Sequence, residues 1–278
     1  MSAIVVVLLL AAALLHATWN AILRSGADRL WSVTMMCVIG ALFALPLAIT
    51  LAPPAESSWY YLGASAVLQI GYCLFLVRAY RDGELAHVYP IARGTAPLLV
   101  TVGAALFAGE SVGVAGALGV ILISGGILTL GSGRSQPDRR STVAAVASGC
   151  FIASYMVTDG IGVRLAEHAA AYAAWQAVVT GVTMPLVYLA IRRRLPARPR
   201  GRSGAMVGVA AIFGVVGYGV AIWAMSRAPM GQVSALRETS ILFAAVIGAV
   251  ALHEPVTIRR AIGGAAIAAG AIALAVHG

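Results

Sequence analysis

Two arginines stand inside apolar runs, and each precedes by 17 residues a glutamate that ends its run: Arg93 with Glu110, and Arg237 with Glu254. A guanidinium stays charged at any physiological pH and presents a planar fork of donors that can hold a carboxylate through two parallel hydrogen bonds. Within hydrocarbon such a charge is costly unless it is paired or faces water. The chemistry available to these residues is therefore recognition of a small anion, above all a substrate carboxylate. Two structural alternatives stand beside it: Arg237 pairs with Asp159, or each arginine bonds carbonyls freed by irregular backbone nearby. Pro90 and Pro97 flank Arg93 and are expected to interrupt the helical hydrogen bonds around it.

The spacing recurs because the chain repeats itself. Residues 93–130 align without a gap on 237–274, with 12 identities in 38 positions, Thr95/Thr239, Gly119/Gly263 and Gly126/Gly270 among them. A duplicated membrane unit with an intramembrane charge in each copy is a common way to build a transport site where the repeats meet.

The environment follows from composition. Of 278 residues 60% are hydrophobic and 10% charged, and the mean hydropathy is +0.91, so no solvated domain has room to form. Ten spans of roughly bilayer length can be read, at 2–23, 31–51, 59–79, 85–108, 112–131, 143–163, 170–191, 204–226, 229–251 and 261–276. The first lacks a basic region before its apolar stretch and reads as a helix rather than a leader. Breakers fall between spans, at Pro53-Pro54, Asp82-Gly83, Gly131-Ser132-Gly133 and the segment holding Pro196 and Pro199. The expected fold is all-α, with ten transmembrane helices in two five-helix repeats, 1–133 and 141–278, around a central cavity.

All 19 basic residues are arginine, and their placement sets the orientation. The 1–2, 3–4, 5–6, 7–8 and 9–10 connections hold 2, 2, 3, 6 and 2 of them, whereas the 6–7 and 8–9 connections hold only Arg164 and Arg227. Basic loops stay in the cytoplasm. Both termini are thus expected in the periplasm of a bacterial inner membrane, and nucleic acid is not an expected partner despite the basic charge. The 2–3 connection has no arginine while its counterpart 7–8 has six, which is what an odd-numbered repeat entering from the opposite side requires. The repeats are inverted.

With sides assigned, the polar and aromatic residues fall into two depth sets. His16, Trp19, Asn20, Tyr72, Tyr89 and Arg93 belong to the inner half, and Tyr155, Asp159, Tyr218, Trp223, Arg237 and Glu238 to the outer half. Each arginine lies about eight residues, or ~12 Å, inside its helix, on opposite sides of the midplane. All twelve are candidate substrate-binding residues. Packing is the alternative for each, and an interfacial belt is the reading for Trp31, Trp59 and Tyr60. Glu110 and Glu254 are expected near membrane faces, capping the next helix. The paired glycines are expected to bring helices together within each half, or to form a dimer contact; a monomer is the working expectation. Cys37, Cys73 and Cys150 are isolated and expected to be reduced.

Trp19-Asn20, the run Tyr89-Pro90-Ile91-Ala92-Arg93-Gly94 to Pro97, Arg237-Glu238-Thr239-Ser240, and the glutamates closing spans four and nine resemble the drug/metabolite transporter superfamily. More narrowly, the chain is similar to ten-helix EamA-type permeases, which include bacterial exporters of aromatic and other amino acids. The resemblance covers the whole chain; one departure is Arg24, where many relatives carry lysine. It implies a secondary transporter that exports amino acids or related small metabolites by alternating access. The alternative is efflux of drugs or lipophilic cations, which would use a membrane-embedded carboxylate such as Asp159 or Glu238. No enzyme motif of the H-E-x-x-H or G-x-S-x-G kind and no P-loop is present, so neither catalysis, metal nor cofactor is expected, and gradients would supply the energy.

Overall fold

A computed structural model describes residues 1–24, 28–82, 85–131, 139–197, 201–251 and 257–277. Glu254, Gly83, Ser132, Gly133 and Pro199 lie outside the described residues, as does the side chain of Arg24. The helices are α1 (Ala3–Arg24), α2 (Arg29–Thr50), α3 (Glu56–Asp82), α4 (Leu85–Ala108), α5 (Val114–Gly131), α6 (Arg139–Leu165), α7 (Ala169–Arg192), α8 (Gly201–Met225), α9 (Met230–Glu238), α10 (Ser240–Ala251) and α11 (Ile258–His277). Spans one to eight are α1 to α8, span nine is α9 followed by α10, and span ten is α11.

The interruption falls where the proline argument did not place it. Helix α4 runs on through Pro90 and Pro97, whereas span nine is broken at Thr239, immediately after Arg237 and Glu238. There the Thr239 N–H donates to Leu236 O at 3.1 Å and the Leu242 N–H to Thr239 O at 2.8 Å, the tight i to i+3 pattern of a 3₁₀ turn. The Thr239 hydroxyl also donates to Leu236 O at 2.7 Å, occupying a carbonyl that the regular ladder would use. Missing proline N–H groups are tolerated in transmembrane helices when neighbours cover the freed carbonyls. Within α4 the Thr95 and Thr101 hydroxyls back-bond to Ile91 O and Pro97 O at 2.8 Å each, one turn before them, whereas the carbonyl that Pro97 leaves without its helical donor is that of Arg93.

Packing follows the internal repeat. Helix α3 lies along α6 and α1 along α8, two contacts that exchange when the repeats are exchanged; α2 on α7, α5 on α11 and α4 on α9 each map onto themselves. The arrangement is a pair of inverted five-span repeats with a pseudo-twofold axis between them. The paired glycines act across that axis, not within each half as expected: a Cβ on Gly126 would stand 2.7 Å from Gly263 O, and one on Gly263 would stand 2.8 Å from Gly126 O. Gly270 meets Gly119 O in the same way at 2.7 Å. Lipid is as apolar as leucine and does not drive helices together, so close backbone approach through small residues holds α5 to α11. Large apolar side chains such as Phe43, Leu106, Phe107, Ile121, Val182 and Ile272 face outward, as lipid contact demands.

Both ends of the bundle are tied by polar contacts between repeats. At one end Asp28 accepts the Trp31 N–H at 3.1 Å, which caps α2, and pairs with Arg192 at 3.2 Å. At the other, Glu110 accepts the Met230 N–H at 2.9 Å and pairs with Arg164, whose Nε also donates to Met225 O at 3.0 Å. Glu110 is thus a helix cap, but of α9 in the opposite repeat rather than of α5, which follows it.

Candidate functional site

The core between the repeats carries a polar cluster inside an apolar surround. Arg93, on α4 of the first repeat, and Glu238, the last residue of α9 in the second, form an ion pair with Nη1 to Oε1 at 3.1 Å; both are almost fully buried, at 3% and 1% exposure. Tyr89, one turn before Arg93, sits with its ring 5.5 Å from that guanidinium. The pair joins one residue from each depth set, so the inner and outer sets meet rather than lying apart.

Arg237 stacks over the Tyr218 ring at 4.8 Å. It does not take Asp159 as its partner. The Asp159 carboxylate instead accepts the Tyr172 hydroxyl at 3.0 Å and the Tyr218 hydroxyl. Among the described residues no ion pair links Asp159 to an arginine. The result is a relay from Asp159 through Tyr218 to Arg237, in which the phenol shares its hydroxyl with the acid and its face with the cation. Tyr155 stands between Tyr72 and Tyr218, with ring centroids 6.0 and 5.8 Å away, in the range where aromatic pairs attract. Three tyrosines from α3, α6 and α8 thereby form one aromatic wall beside the two arginines.

On α1 the Trp19 indole N–H donates to His16 Nδ1 at 3.1 Å, the rings meeting edge to face at 84°, and the Asn20 amide donates to His16 O at 2.9 Å. Trp223 is not brought to this cluster. It lines a lateral apolar cleft of about 670 Å³ with Leu8, Phe43, Leu47, Ala174 and Val215, and Arg227 lies 5.1 Å over its ring. Gln69 and Gln176 bond within their own helices, to Ser65 and Thr180. Trp59 packs edge to face on Trp175 at 5.1 Å, Trp31 donates to Ala197 O at 2.8 Å, and Tyr60 is exposed.

Several polar atoms of the cluster are buried and have no hydrogen-bond partner among the described residues: Arg237 Nη1, Glu238 Oε2 and His16 Nε2. Buried polar groups are nearly always satisfied, and exceptions ask for a reason. Here two charged side chains adjacent in sequence present one free donor and one free acceptor.

Sequence reasoning missed Tyr172 as a partner of Asp159. Its signal was the short connection between α6 and α7, which makes them antiparallel neighbours and returns the chain toward Asp159 thirteen residues later. Gly162 opens the space, because a Cβ there would collide with the Tyr172 ring, 2.7 Å from its Cζ.

Comparison with known proteins decides the family. The sequence pattern of the EamA-like transporter family matches residues 3–132 and again residues 140–276. The chain belongs to the EamA-like transporter family. As an EamA-like protein it is a multi-pass membrane transporter of small solutes within the drug/metabolite transporter superfamily, and each match covers five spans. No curated protein matches the sequence. Among 29 matching solved chains is one described as "Crystal structure of protein", with a TM-score of 0.76 at 19% identity over 99% of each chain. That similarity shows the EamA-like chain and this structure share a fold.

Proposed function

We propose that this transporter exports zwitterionic amino acids, aromatic ones among them, across the bacterial inner membrane by alternating access, with 1–133 and 141–278 as its moving repeats and both termini in the periplasm. The observation that carries the reading is that Arg237 Nη1 and Glu238 Oε2, on consecutive residues at the end of α9, are both buried without a hydrogen-bond partner among the described residues. An α-amino acid presents a carboxylate and an ammonium on one carbon, and these two groups would take one each. The tyrosine wall supplies apolar and π surface for the side chain, which sets the range of substrates rather than the class. Arg93, held to Glu238, balances the second acid, so the formal charges of Arg93, Arg237, Asp159 and Glu238 sum to zero before and after a zwitterion enters. A lipophilic cation brings no carboxylate and would leave Arg237 Nη1 unpaired, which weighs against that alternative.

The test is uptake by purified protein in liposomes of labelled phenylalanine against a labelled quaternary ammonium ion, with a pH gradient imposed or absent. Uptake of phenylalanine alone is the expected result. Uptake of the cation alone would overturn the reading, and the dependence on the gradient would identify the energy source.

A further inference from the structure

One hydrogen bond decides where the His16 proton sits. The Trp19 indole N–H can only donate, so His16 Nδ1, 3.1 Å from it, must accept and carries no proton. The imidazole proton therefore resides on Nε2, and which ring nitrogen carries it governs what the ring can do. His16 Nε2 is a buried donor without a partner among the described residues, on a side chain only 4% exposed. Helix α1, which carries His16, packs against α9, which ends in Arg237 and Glu238. A neutral N–H from α1 and a charged N–H from α9 are thus both unsatisfied where these two helices pack, and Glu238 Oε2 is the carboxylate oxygen among the buried acceptors left without a partner on α9.

A carboxylate offers two oxygens and about four lone pairs, more than the single free nitrogen of Arg237 can satisfy. A second donor that brings no charge would complete its binding without disturbing the charge balance of the cluster. Resting on the amino-acid reading above, we propose that His16 Nε2–H is a donor to the substrate carboxylate alongside Arg237. Trp19 is then a positioning residue: it touches the imidazole, not the reacting solute, and holds it in the donor tautomer. Trp19 and His16 lie one turn apart on α1, so their geometry is set by the helix itself.

The experiment uses the full chain in detergent with ¹⁵N-labelled histidine, the His16 signals being assigned by their loss in His16→Gln. In wild type, Nδ1 should resonate as an unprotonated and Nε2 as a protonated nitrogen, and Nε2 should shift on addition of phenylalanine but not of phenethylamine, which lacks the carboxylate. Trp19→Phe keeps an aromatic ring and removes the indole N–H; it should give a mixture of tautomers. In liposomes, His16→Leu should raise the KM for phenylalanine roughly tenfold, the scale of one lost bond to a charged group, with kcat nearly unchanged. His16→Gln, whose amide nitrogen reaches a place similar to Nε2, should recover most of that loss. A proton on Nδ1 in wild type, an unmoved Nε2 signal with phenylalanine, or an unchanged KM in a well-folded His16→Leu would each overturn the proposal while leaving amino-acid export standing. Absence of phenylalanine transport by wild type would overturn that reading, and the donor assignment with it.

Discussion

Glu110 of the first repeat accepts the backbone N–H of Met230 in the second at 2.9 Å, so a carboxylate at the end of α4 terminates α9 at its positive end. Helix α9 has nine residues and ends in Arg237 and Glu238. The two repeats are therefore joined at both ends of this short helix, by Glu110 at its start and by Arg93 at its finish. Any relative motion of the repeats must release or carry one of these contacts.

Removing the cap should be measurable as stability. Glu110→Ala loses the bond to Met230 and the pair with Arg164 and should cost about 1.5–3 kcal/mol, the range for hydrogen bonds to a charged group. Arg164 is one-third exposed, so Arg164→Gln should cost less. Thermal unfolding in detergent should place the Glu110→Ala midpoint several degrees below wild type, with Arg164→Gln between them.

The buried ion pair should show the signature of an uncompensated charge. Arg93→Gln leaves Glu238 without its partner and should destabilise by about 3–5 kcal/mol, whereas Arg93→Gln with Glu238→Gln should recover part of the loss. Neutralising Asp159 should not rescue Arg93→Gln, because the hydrogen bonds to Asp159 come from Tyr172 and Tyr218. Monodispersity and thermal midpoints of the two double variants decide between them.

Two neighbouring glycines of α5 make a controlled pair. Gly126→Ala would press a Cβ to 2.7 Å from Gly263 O, a backbone atom that cannot swing aside, and should cost about 1–3 kcal/mol. Gly125→Ala meets nothing within 4 Å and should be neutral or stabilising by up to about 1 kcal/mol through helix propensity. Equal midpoints for the two variants would contradict the α5 to α11 contact.

Substrate preference should separate from substrate class. Tyr155→Ala or Tyr72→Ala should alter the ranking of amino acids by side-chain size, since the rings offer apolar and π surface. Arg237→Lys should weaken transport of every amino acid by a similar factor, because a point charge does not reproduce the guanidinium fork. Uptake of phenylalanine, leucine and alanine by the three variants measures both patterns.

Orientation has a direct reporter. With 15 arginines in one set of connections and two in the other, alkaline phosphatase fused at the C-terminus should be active and a green fluorescent fusion dark. The reverse result would exchange the two faces while leaving the inverted repeat intact.

The chain's ten spans and its internal symmetry were legible in its residues because each helix must satisfy its own backbone hydrogen bonds across some twenty apolar positions. That constraint is local, and it brought the expected spans within a few residues of α1 to α8 and α11. The need of Arg93 for a partner was legible too, since a buried charge announces its cost wherever it stands. Which acid answers it was not: Glu238 lies 145 positions away, and Asp159, also acidic and near Arg237, is taken by phenols. The glycines likewise declared a close contact without declaring whether it lies within a repeat or between repeats. Partner choice depends on the rotation and depth at which separate helices meet, and hydrophobic pattern says nothing of either when lipid and protein are equally apolar. Only the tertiary packing, set by small residues that admit close backbones and by polar groups that must be paired, decided those matches.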